Sequence, residues 1–248
     1  MIRSLLDKSI GEAVLRSGYL TRLSAWVREA MPGYCAFCHL PAAPGLPWCN
    51  ACFADLPWNL QGCHGCAEPF TLTLYCSHCQ LARPAFARVY AGLVYEPPVS
   101  LLIHDFKFHA SARAGHLLAE LMGHTPLEVL PAALVPVPSS PVRAKERGFN
   151  QAEWLAHELG RIWQVPVTRG KRLRQGKLQH SLSRKERLTN LKGAFAFDTP
   201  LPAHVAIVDD VMTTGATAHA VAEAALAAGA KQVDVWAAAR TPGKDIDR

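Results

Sequence analysis

The stretch 205–217 reads VAIVDDVMTTGAT. It opens on an apolar run, Val205-Ala206-Ile207-Val208, and continues through the paired acids Asp209 and Asp210. Two more apolar residues lead to a small hydroxylated turn, Thr213-Thr214-Gly215-Ala216-Thr217. An Ala-rich helical pattern follows over 218–228, and Gly229 ends it. A short continuous apolar run in a chain rich in helical patterns predicts a strand buried on both faces, as in a parallel sheet. The unit is strand, loop, helix N-terminus. Such a turn offers backbone N–H groups and hydroxyls at the positive end of a helix, which is an anion site. Gly215 allows close backbone approach. Carboxylates at the strand's end can accept hydrogen bonds from a vicinal diol. A phosphate one sugar away from a diol describes a ribose 5-phosphate. The plainer reading is a strand with acidic end residues and a Thr-capped helix; the complete order of strand, acids, turn and helix favours the ligand.

Outward from this unit, strands alternate with helices. The spacing predicts strands over 88–95, 132–137, 193–197 and 233–239, and helices over 98–106, 113–122 and 151–163. That alternation predicts an α/β fold with a parallel sheet, its ligand at the C-terminal ends of the strands. Residues 1–32 carry apolar residues at helical spacing and read as amphipathic helices that pack on the rest of the protein. Between 169 and 192 the chain is polar, basic and weakly periodic; a long polar loop in a compact domain reads as a lid.

All eight cysteines fall between 35 and 79, in four C-x-x-C pairs: Cys35/Cys38, Cys49/Cys52, Cys63/Cys66 and Cys76/Cys79. Each pair supplies two thiolates from one tight turn, and two turns complete a tetrahedral shell, so two structural zinc sites are expected. The stretch has few long apolar runs and needs metal to hold it. Disulfides do not suit a cytoplasmic chain, and a redox C-x-x-C usually comes once. Iron–sulfur clusters use similar ligands and are the weaker alternative. Consecutive pairing is the simplest assignment; the spacing also admits a crossed one, first with third and second with fourth. The expected domains are 1–34 (N-terminal helices), 35–84 (double zinc ribbon), 85–240 (the α/β domain) and 241–248 (a tail).

The 248 residues carry a formal charge of +6, and 50% are hydrophobic, enough for a core. The charge is local: 143–192 holds 13 Lys/Arg against 4 Asp/Glu, a net of +9, so the remainder carries −3. No run of about 18 apolar residues exists, so no membrane span is expected. The N-terminus lacks the apolar core and cleavage site of a signal peptide, which points to the cytoplasm.

The chain resembles the ComF/GntX family, a double zinc ribbon joined to a phosphoribosyltransferase-like domain, from about 35 to 240. The stretch 205–217 is similar to the motif that binds phosphoribosyl pyrophosphate (PRPP), with Ala206 smaller than usual. The other matching pieces are Phe106-Lys107-Phe108; Val135-Pro136-Val137-Pro138 with Arg143; Glu146-Arg147-Gly148-Phe149-Asn150-Gln151; and Gln179, Leu182, Arg187, Asn190 and Gly193-Ala194-Phe195. The resemblance implies that Asp209 and Asp210 hold the ribose hydroxyls. It gives the 5-phosphate to Thr213, Thr214, Gly215, Ala216 and Thr217, and the pyrophosphate to the loop of Ser139, Ser140 and Arg143. Mg²⁺ would bridge ligand oxygens, keeping several waters. Arg184, Lys185 and Arg187, in the lid, would stabilise departing pyrophosphate.

Two functions follow as expectations. The family is linked to natural competence, which implies a cytoplasmic protein that binds single-stranded DNA, here through Lys171, Arg172, Arg174 and Lys177, and works with competence or recombination proteins. Only Phe149, Trp154 and Trp163 interleave the basic segment, so base stacking there is limited. The alternative is a metabolic phosphoribosyltransferase that moves ribose 5-phosphate from PRPP to an acceptor the sequence does not name.

Overall fold

A computed structural model describes residues 33–69, 71–125, 129–140, 145, 147–174 and 191–243. The expected helices over 1–32 and most of the expected lid lie outside the described residues. The chain forms two compact units, Met1–Leu56 and Pro57–Arg248. The boundary expected at residue 84 falls inside the second unit.

In the first unit, the cysteine pairs sit on two kinds of turn. Cys35 and Cys38 lie in a tight knuckle, where Cys35 N–H donates to Leu40 O at 2.7 Å and His39 N–H to Cys35 O at 3.0 Å. His39 takes a left-handed backbone, φ 60°. Cys49 caps helix α1 (Asn50–Ala54) and accepts from Cys52 N–H at 3.4 Å.

The second unit repeats this pattern. Cys63 N–H donates to Glu68 O at 2.9 Å, and Ala67 N–H to Cys63 O at 2.7 Å. Ala67 is left-handed at φ 53°. Cys76 precedes helix α2 (Ser77–Leu81). This knuckle is part of the sheet's hydrophobic core: Cys63, Cys66 and Cys79 share one buried cluster with Val205, Ile207 and Val235.

The sheet has four strands, β1 (Arg88–Tyr90), β2 (Ala133–Pro136), β5 (His204–Met212) and β6 (Gln232–Arg240), in the order β1-β6-β5-β2 and all parallel. β2 is wholly buried, and β6 is buried after its first residue. This is the near-continuous apolar pattern of strands covered on both faces. Alternate residues Val205, Ile207, Val233, Val235 and Ala237 pack with Ala218, Val221, Ala222 and Ala225 of helix α6 (Ala216–Ala227). Trp236, of opposite parity, stacks on Tyr90 at 4.4 Å and meets Trp163 edge-on at 4.7 Å. Trp163 ends helix α5 (Gln151–Trp163). Helix α3 (Val99–Phe108) packs on helix α4 (Ala112–Gly123), and α4 on α5 and β6.

The sequence expectations meet three differences here. β1 stops at Tyr90 because the residues just beyond it also pair with 57–59: Asn59 N–H donates to Gly92 O at 2.8 Å and Trp58 bridges Leu93, while Val94 returns to bridge Arg240 of β6. The strand expected over 193–197 forms as β4 (Phe195–Ala196), but it pairs antiparallel with β3 (Lys171–Arg172), outside the parallel sheet. β5 runs on through Asp209 and Asp210 to Met212, since its pairing with β6 continues to Arg240. No helix among the described residues is long and apolar enough to cross a membrane.

Candidate functional site

At the C-terminal ends of β2 and β5 lies a cavity of about 530 Å³. Asp209 and Asp210 line it with Ser139, Ser140, Thr213 and Thr217. β5 and β2 are neighbours, with Val208 in register with Pro136. The acids of β5 and the serine loop that follows β2 therefore lie side by side where the sheet meets the cavity. Asp210 is largely buried, and its Oδ1 accepts from Val211 N–H at 2.6 Å and pairs with Lys107 Nζ at 3.0 Å. Asp209 Oδ1 accepts from Asp210 N–H at 2.9 Å. Thr214 Oγ1 accepts from Ala216 N–H at 3.4 Å, and Gly215 caps α6 with φ 75°. Thr214, Gly215 and Ala216 thus form the turn, while Thr213 and Thr217 face the cavity.

Gly215→Ala is expected to lower stability by about 1–2 kcal/mol, the cost of a left-handed L-residue. Its Cβ would also stand 2.7 Å from Met212 Cε, but a flexible methionine end can move. A urea unfolding midpoint equal to wild type would show that the turn does not need this conformation.

Other lining residues had no role assigned from the sequence. Lys107, Arg147, Asn150 and Gln151 all line the cavity. They lie in segments that the sequence resemblance singled out, and only the tertiary fold gives them a task. Tyr95 and Thr241 line it as well, and nothing local signals them. Thr241, which opens the expected tail, donates its N–H to Met212 O at 3.0 Å. Among the described residues, the cationic groups lining the cavity are Lys107, Arg147 and Arg172.

Arg172 was expected on a nucleic-acid surface, and it lines this cavity. Lys171, its neighbour on β3, pairs with exposed Asp198 at 2.6 Å, and Arg174 Nη2 donates to Lys192 O. Arg143, Lys177, Arg184, Lys185 and Arg187 lie outside the described residues.

The cysteines gather as two groups, Cys35, Cys38, Cys49, Cys52 and Cys63, Cys66, Cys76, Cys79, with the donor atoms of each within 4.8 Å of one another. This is the consecutive pairing. Four sulfurs at about 2.3 Å from a tetrahedral zinc stand roughly 3.8 Å apart. Cys38 Sγ and Cys49 Sγ lie 3.8 Å apart, and Cys66 Sγ and Cys76 Sγ 3.6 Å, so both shells fit the ion. Burial opposes ionisation of Cys35, but N–H groups of Cys38, Cys49 and Phe37 outweigh it and lower the pKa to about 6. Burial opposes ionisation of Cys63 too, but the same kind of N–H donation, from Cys76, Cys66 and Gly65, outweighs it and lowers the pKa. Cys52 is pushed up to about 12, mainly by its side-chain hydrogen bond with Cys38, and Cys66 to about 12, mainly by burial. Burial pushes Cys79 further up.

No family model matches the chain. It is 35% identical over 226 residues to DNA utilization protein YhgH of Salmonella typhimurium (strain LT2), covering 85% of this chain and 98% of that protein. It is 30% identical over 224 residues to competence protein F of Haemophilus influenzae, covering 85% and 92%. The chain belongs to the ComF/GntX family. Another relative, competence protein ComFC of Bacillus subtilis, is 29% identical over 73% of this chain and 78% of its own length. Among solved structures, a purine phosphoribosyltransferase from Pyrococcus horikoshii is 19% identical over 60% of this chain and 76% of that chain, with a TM-score of 0.30. An orotate phosphoribosyltransferase from Aeropyrum pernix is 15% identical over 54% and 75%, with a TM-score of 0.34. The architecture expected for a ComF/GntX protein is the one observed: a parallel sheet flanked by helices, with four-cysteine groups ahead of it in the chain.

Proposed function

We propose that this ComF/GntX protein holds PRPP, with Mg²⁺, in the β2–β5 cavity and handles single-stranded DNA in the cytoplasm during DNA uptake. The observation that carries this reading is the convergence of acids, hydroxyl turn and cations on one cavity. Asp209 and Asp210 supply acceptors for a diol, the 213–217 turn and the α6 N-terminus supply donors for the 5-phosphate, and Lys107, Arg147 and Arg172 match a polyphosphate. The names of the relatives, a DNA utilization protein and competence proteins, support the DNA role. The cysteine groups are proposed to hold two structural zinc ions. Arg184, Lys185 and Arg187 remain proposed as groups that meet the pyrophosphate, and competence or recombination proteins as partners.

The test is a parallel titration with PRPP–Mg²⁺ and with labelled single-stranded DNA. Asp209→Asn with Asp210→Asn should weaken PRPP about a hundredfold, about 2.7 kcal/mol, and leave DNA affinity nearly unchanged. DNA affinity should fall with salt at a log–log slope of roughly −3 for about 4 phosphate contacts. Replacing Lys171, Arg172, Arg174 and Lys177 together should flatten that slope. Because Arg172 lines the cavity, the two ligands are expected to compete. Absence of DNA binding at low salt would overturn the DNA role and leave the transferase reading, which the intact acid pair favours. Unchanged PRPP affinity in the double variant would make the acids structural.

A further inference from the structure

Gln151 opens α5, is 5% exposed and lines the cavity. Its Oε1 accepts from Arg147 Nη1 at 3.1 Å. A guanidinium can only donate, so this contact decides which end of the amide is oxygen. The Nε2 end has no hydrogen-bond partner among the described residues. Native interiors seldom keep a buried donor unmade, because its lost hydration is not repaid.

The position of this amide narrows what it can meet. Asn150 caps α5 by accepting from Ala152 N–H at 3.1 Å, and its Nδ2 donates to Val137 O at 3.2 Å. The helix start is thereby held against the end of β2, next to Ser139 and Ser140. Those serines line the same cavity, one strand over from Asp209 and Asp210. A helix N-terminus and a donor-only amide end both call for an acceptor with negative charge. In a ligand whose ribose lies on Asp209 and Asp210, the group beyond the ribose is the diphosphate.

We propose that Gln151 Nε2 donates to a diphosphate oxygen of the bound ligand, which makes Gln151 the residue that separates PRPP from ribose 5-phosphate. This rests on the ribose phosphate reading of the cavity. Arg147 acts through Gln151 by holding its amide in the donating orientation.

The full-length zinc-loaded chain is titrated calorimetrically, with Mg²⁺, against PRPP, inorganic pyrophosphate and ribose 5-phosphate. Two variants are compared with wild type. Gln151→Met keeps the volume without donors, and Gln151→Glu keeps an acceptor for Arg147 but turns an anionic oxygen toward the ligand. Gln151→Met should weaken PRPP and pyrophosphate about tenfold or more, the range for a hydrogen bond to a charged group. Gln151→Glu should weaken them further. Ribose 5-phosphate should stay within about twofold in both. Wild type binding PRPP with both variants unchanged overturns this proposal alone. Equal weakening of all three ligands, with a lowered melting temperature, assigns Gln151 a merely structural role and also overturns it. A wild-type chain that binds none of the three overturns the ribose phosphate reading, and this proposal with it.

Discussion

Removing metal with a strong chelator should unfold the first cysteine unit and destabilise the second throughout. Structural zinc in small four-ligand sites contributes apparent folding free energy of about 10–16 kcal/mol at neutral pH. A whole domain is stable by only about 5–15 kcal/mol. The two cysteine groups should not respond alike. In the first unit, Trp48 stacks on Phe53 at 5.3 Å beside the knuckle and α1. Cys35→Ser should cost one ion and the local structure only. In the second unit, Cys63, Cys66 and Cys79 belong to the core that also holds β5 and β6. Cys63→Ser should cost one ion and lower the unfolding midpoint of the sheet. Metal analysis of the purified chain should give close to two zinc ions, and no zinc, or the colour of iron, would overturn the assignment.

The pH dependence has a definite sign. Ligand thiols must lose their protons to bind, so protons and zinc compete. Cys52 and Cys66, pushed up to about 12 without metal, and Cys79, pushed up further, hold their protons most firmly. Zinc should therefore be released as pH falls, and each release should take up protons. Release on raising the pH from 6 to 8 would contradict this.

Arg240→Ala should destabilise the second unit by about 3–5 kcal/mol, the usual result of removing one partner from a buried pair. Arg240 ends β6 and is buried. Its Nε donates to Cys66 O at 3.0 Å, its Nη1 to Met212 O at 3.2 Å and to Thr241 O, and its Nη2 meets Glu68. One guanidinium thus ties the second knuckle to the sheet, one residue before Thr213 of the cavity. Alanine would leave the Glu68 carboxylate and the carbonyl oxygens without this donor. Arg240→Lys should recover little, because an ammonium cannot reproduce a planar fork that serves four acceptors. Guanidinium unfolding of both variants is the measurement. A loss under about 1 kcal/mol would place the pair among surface ion pairs, which contribute little.

These two cases divide what is local from what is not. The C-x-x-C turns and the strand-acid-turn-helix unit are written within a few residues, because a tight turn or a helix start depends on neighbours in sequence. The sequence by itself therefore determined the eight cysteines in C-x-x-C pairs, the parallel sheet and the turn at Gly215. It put Asp209 and Asp210 at the strand's end, and they line the cavity, while the pairing of β5 with β6 carries the strand past them to Met212. Spacing admitted two ways of sharing the cysteines between ions, and only the folded knuckles chose the consecutive one. Tertiary structure alone brought Lys107 to Asp210 from a helix about a hundred positions away, held Asn150 at the end of β2, set Gln151 and Arg172 along the cavity and put Arg240 under Cys66. The Lys107–Asp210 and Arg240–Cys66 contacts join segments far apart in the chain. No periodicity encodes such a contact, because what selects it is the burial of a charged or amide group that must find a partner wherever the fold brings one.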